Sequence, residues 1–224
     1  AADNNNIIYF KDNKETTFSA YYPYSESLTD GKMDWNMAEV KENQPCMADV
    51  LFASGATASK ASPIVNFTDI EHRFKHCMSL VEFKIKPGQG VIYNNYKFNR
   101  LELKGIFRSG KFDTRTGSVE TAGDRGSIRR DFDDVSFESG KSFAYIMLPQ
   151  SLESNKMDIE IYLLLNDSEV KYTTHITPST NGQFEGGKKY TYNITVKNTG
   201  ITIEDATIYP WENGDLGDLD AEIE

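Results

Sequence analysis

The sequence predicts an all-β chain of sandwich type. Apolar and polar residues alternate at period two in several stretches. Turn dipeptides built from Gly, Asn, Asp and Ser recur between those stretches. No stretch sustains the i, i+3, i+4 stripe of an amphipathic helix.

Taken in order, Ile7-Ile8-Tyr9-Phe10 is a short apolar run, and Thr16 to Tyr22 is a β-rich segment stopped by Pro23. Asp34 to Val40 and Asp69 to Met78 each have room for a helical turn and no more. Val81-Glu82-Phe83-Lys84-Ile85-Lys86 alternates cleanly and stops at Pro87-Gly88, the pattern of a half-buried strand entering a turn. Leu101 to Lys104 alternates and is expected to stop at Gly105. Met157 to Leu163 alternates up to Asn166-Asp167. Lys189 to Lys197 alternates over its whole length, and Ile201 to Glu204 resumes after Asn198-Thr199-Gly200. Turns are expected at Asp30-Gly31, Ser109-Gly110, Thr116-Gly117, Ser139-Gly140, Asn181-Gly182, Gly186-Gly187 and Asn213-Gly214.

A chain of 224 residues holds one large domain or two small ones. Ser54 to Pro63 is small, polar and without apolar anchors, so it reads as a linker or long loop. That places the remainder of an N-terminal β-sandwich and the linker in residues 1–63, and a C-terminal sandwich with an acidic tail in 64–224. The segment before the boundary is short for a closed sandwich. Gly123 to Asp134 mixes three arginines with four aspartates and reads as a solvated surface loop.

The formal net charge of −10 argues against nucleic acid or an anionic membrane as partner, since both require a basic face. No apolar run is long enough for a transmembrane helix. The chain opens on Ala1-Ala2-Asp3-Asn4 without an initiator methionine, so it is expected to be a processed or truncated product. Cys46 and Cys77 are too few for a disulfide scaffold. Cys77 sits in an apolar run and reads as a small hydrophobe, with a single bridge left open.

No catalytic, cofactor or metal residue is assigned. His72 and His76 are four apart, but His175 is distant and no cysteine stands near to complete a zinc set. There is no G-x-S-x-G elbow, and Lys86-Pro87-Gly88-Gln89-Gly90 lacks the Walker pattern. The acids of Asp215 to Glu224 do not follow the EF-hand spacing. Tyr21, Tyr22, Tyr24 and Trp35 are candidate ligand aromatics, with core packing as the competing role.

An ordered series of segments carries a family resemblance. Phe18-Ser19-Ala20-Tyr21-Tyr22-Pro23-Tyr24 comes first, then Ala48-Asp49-Val50-Leu51-Phe52-Ala53, then Phe74 to Phe83. Met147-Leu148-Pro149-Gln150 follows, then Phe184 to Val196, Gly200-Ile201-Thr202-Ile203, and Ala206 to Gly214 with its Pro210-Trp211. In this order they resemble the Bacteroidetes fimbrillin-like proteins, the type V pilins and related surface lipoproteins. Two departures stand out. Family members carry further strands before the first segment, and they usually have small or aliphatic residues at the positions of Cys77 and Met78.

The resemblance implies two β-sandwich domains: the first transthyretin-like and incomplete in this chain, the second of Greek-key type. It implies export as a lipoprotein precursor and display at the outer membrane in a fimbrium. It also implies polymerisation with other pilin subunits by strand exchange, as stalk, anchor or tip adhesin. Ile201, Ile203, Ile208 and Trp211 are the candidate anchors of an exchanging strand, which must present alternating apolar side chains along a free backbone edge. Their competing role is in the last strands of the chain's own sandwich. The alternative function is a surface lipoprotein that captures a glycan or host protein without polymerising.

Overall fold

The computed structural model describes residues 8–36, 49–89, 96–166, 168–178, 181–197, 199–204 and 206–211. Cys46, Asn213-Gly214 and the acidic tail lie outside the described residues.

Among the described residues the chain is all-β apart from one short 3-10 turn at Glu153–Asn155. The strands are β1 (Thr16–Tyr22), β2 (Leu28–Thr29), β3 (Lys32–Asn36), β4 (Leu51–Ala58), β5 (Lys75–His76), β6 (Ser79–Pro87), β7 (Tyr96–Asp113) and β8 (Val119–Ser136). They continue as β9 (Lys141–Met147), β10 (Gln150–Ser151), β11 (Met157–Leu165), β12 (Ser168–Ile176), β13 (Gln183–Phe184), β14 (Lys188–Lys197), β15 (Gly200–Ile203) and β16 (Thr207–Pro210).

Two sheets make the main sandwich. In one, β6 pairs with β9 on one side and runs parallel to β14 on the other, while β15 and β16 follow one another along the far edge of β14. In the other, β7 carries β8 along one edge, and the opposite edge is shared by β11 (with β12 beyond it) and then by β3. The inward faces follow the sequence alternation. Tyr190, Tyr192, Ile194 and Val196 of β14 face Met157, Ile159, Ile161 and Leu163 of β11 across one buried core. Phe98 of β7 meets Phe143 of β9 edge-on at 5.3 Å, which ties the sheets together. Each such side chain contributes about 1.5–3 kcal/mol by leaving water.

A third sheet, β1-β4-β5, lies to the N-terminal side. It touches the sandwich through aromatic edges: Tyr21 and Phe52 both reach the Phe112 ring, at 6.1 and 6.2 Å. β3 crosses the expected boundary at residue 63 and pairs with residues 109–113 of β7.

Several expectations are corrected. Ile8, Tyr9 and Phe10 form no strand, and Ile8 and Tyr9 are exposed. Asp34 belongs to β3 rather than to a helix. The expected linker begins as the second half of β4. Its small residues Ala56 and Ala58 are buried, so the lack of large apolar anchors reflects close packing rather than solvation. Gly123 to Asp134 lies within β8, with residues 125–131 paired to β7 across register shifts; its arginines pack on rings, Arg125 4.3 Å over Phe107 and Arg130 5.2 Å from Phe143.

Nor does β7 stop at Gly105. The residue takes a φ of +79° at a register shift, so the strand bulges and continues. Ser109-Gly110 is not a turn either. A Cβ on Gly110 would fall 2.4 Å from the Glu120 carbonyl oxygen, so glycine is there for close strand approach.

Candidate functional site

Four of the sequence segments converge on one junction, where the C-terminal end of the chain meets the N-terminal sheet. The Cys77 N–H donates to the Val50 carbonyl at 2.8 Å, joining the segment before β4 to the end of β5. Gly187 N–H donates to Met78 O, and Trp211 N–H donates to Gly187 O, each at 2.8 Å. The backbone therefore runs from Val50 through Cys77-Met78 and Gly187 to Trp211 as one ladder of short bonds. Gly186 is part of it, since a Cβ there would meet the Cys77 carbonyl at 2.6 Å.

Side chains close the same junction. His76 Nδ1 lies 2.7 Å from Asp49 Oδ2, and the His76 ring stacks on the Trp211 indole at 3.9 Å and 7°. All three are largely buried, with Trp211 only 5% exposed. Ser79 donates to Glu185 O at 2.8 Å, and the Tyr190 hydroxyl accepts from the Glu185 N–H at 2.8 Å.

The junction is not fully satisfied. Among the described residues, Asp49 Oδ1, His76 Nε2 and Trp211 Nε1 are buried without a hydrogen-bond partner. Each such group costs about 1–3 kcal/mol. The packing that holds Trp211 in place is thus offset by polar atoms that gain a partner if the junction opens. Cys77 beside it is inert as a nucleophile: burial, with the Asp49 charge adding, pushes its thiol up to about 12.

Of the candidate strand-exchange residues, Trp211 lies in this junction and Ile208 on the strand that leads into it, while Ile201 and Ile203 lie along the far end of β14. Ile201 and Ile203, on β15, are half-buried against the core, with β15 bonded to residues 194–197 of β14. Ile208, on β16, is 40% exposed, and β16 is bonded to residues 188–191 of β14. Only Trp211 is fully inside the junction. The candidate ligand aromatics are not gathered into one platform. Trp35 is buried in the core, Tyr21 is half-buried on Phe112, and Tyr22 and Tyr24 are 53% and 77% exposed.

The histidines are dispersed among separate partners. His72 pairs with Asp69 at 2.9 Å and His76 with Asp49. Among the described residues no group of His, Cys, Asp and Glu is arranged to hold a metal. Asp49 is the residue that sequence reasoning passed over. It lies 27 positions from His76, and only its place in the same ordered series of segments pointed to it.

No curated protein matches the sequence. Among solved structures, the chain is similar to a candidate cell adhesion protein of Bacteroides ovatus, with 28% identity, a TM-score of 0.71, and coverage of 96% of this chain and 74% of that one. It is also similar to a candidate cell adhesion protein of Bacteroides uniformis (19%, TM-score 0.71, covering 94% and 79%). A fimbrial protein of Bacteroides vulgatus shares 17% identity at a TM-score of 0.53, covering 90% and 79%. The last two likenesses are likenesses of fold. The family model described as fimbrillin-like matches residues 1–211, nearly the whole chain. With the motif order, the all-β sandwich and that match in agreement, the chain belongs to the fimbrillin-like family.

Proposed function

We propose that this chain is a structural protein of the cell surface, a fimbrial subunit or tip adhesin. It joins other pilin subunits by strand exchange and serves attachment rather than catalysis. Export as a lipoprotein and display at the outer membrane are part of the same reading. Family membership supports the fimbrial or adhesive role.

The observation that carries the exchange mode is the shared edge of β14. Its last two partners, β15 and β16, are short and paired over four residues each. The closing residue Trp211 sits among buried polar atoms that lack partners. A segment held by few backbone bonds in an under-satisfied junction is one that can be exchanged at modest cost. On the receiving side, the outer edge of β1 is unpaired among the described residues, as an acceptor edge must be.

The test is to treat the full-length precursor with a trypsin-like protease and follow the products by electrophoresis in detergent. Detergent-resistant ladders are expected after cleavage. Monomer that persists under every processing condition overturns the polymerising reading. The exposure of Tyr22 and Tyr24 favours a second reading, a non-polymerising surface protein that captures a ligand. Persistent monomer would leave that one standing.

A further inference from the structure

We draw no further inference here: the strongest candidate, the recess of about 350 Å³ beside the His76–Trp211 stack, belongs to the junction already described, and the His76 and Trp211 nitrogens that lack partners among the described residues are buried rather than open to a ligand.

Discussion

The two ends of this molecule are held by different physics. The sandwich is held by volume: Phe83, Tyr192, Ile194 and Leu163 are essentially inaccessible, in two sheets whose inner faces interdigitate. The N-terminal sheet is held by small residues and by attachment. Ala53, Ala56 and Ala58 are what β4 buries, and the sheet leans on the sandwich through Phe112 and through the His76–Trp211 stack. A small apolar payload means little intrinsic stability, so the N-terminal sheet depends on the junction in a way the sandwich does not.

The sharpest way to break that contrast is to hollow each part in turn. Phe83→Ala removes a ring that stacks on Tyr192 at 5.8 Å and meets Tyr145 at 6.0 Å. It is expected to cost about 3–5 kcal/mol and to lower the melting temperature by roughly 10 °C, with amide protection falling in all strands together. Trp211→Ala is expected to cost less globally, about 2–3 kcal/mol, because the lost burial is offset by releasing three unsatisfied polar groups. Its hydrogen-exchange signature is regional: protection falls in β4, β5 and β16 and holds in β7 and β11. A uniform loss after Trp211→Ala would mean that the junction belongs to the sandwich core and that the two regions are one cooperative unit.

Legibility in the sequence follows the same division. Strands of the sandwich were readable because one face is buried and the other wet, so β6, β11 and β14 print their pleat directly as alternation. The second half of β4 and most of β8 were not. β4 buries alanine where burial normally shows as Val or Ile, and β8 spends its length covering β7 with charged side chains, as when Arg129 pairs with Asp131. The junction was half legible. Trp211 and His76 stood out by type and by motif, but their stacking is a tertiary fact with no local signature, and Asp49 has none at all. Gln150, in the Leu148-Pro149-Gln150 segment, shows what such motifs can encode. Its amide accepts from Phe107 N–H at 2.7 Å and donates to Phe107 O at 3.2 Å, standing in for a strand partner beside the β7 bulge.

Acid separates the two regions by a smaller margin. Glu160, on the outer face of β11, is nearly buried, which raises its pKa. Lys104 at 2.9 Å, Lys171 at 2.7 Å and the Tyr162 hydroxyl at 2.6 Å overcome that and hold it down to about 2. A carboxyl depressed in the folded state contributes stability that is fully present above its ordinary value of 4.5 and is lost as pH falls toward about 2. Because both lysines are partly exposed, the contribution is about 1–3 kcal/mol.

Asp69, in the N-terminal region, is also lowered, first by its hydrogen bond with the His72 side chain, but it stands in solvent, where water and salt screen the pair. Urea unfolding measured between about pH 6 and about pH 3 therefore distinguishes the two carboxyls. Glu160→Gln is expected to lower the midpoint at the upper pH, with the deficit narrowing toward the lower one. Asp69→Asn is expected to track the wild type throughout. If the Glu160→Gln deficit stayed constant with pH, the lost stability would be one of shape rather than charge, and the outer face of β11 would be held by packing just as its inner face is.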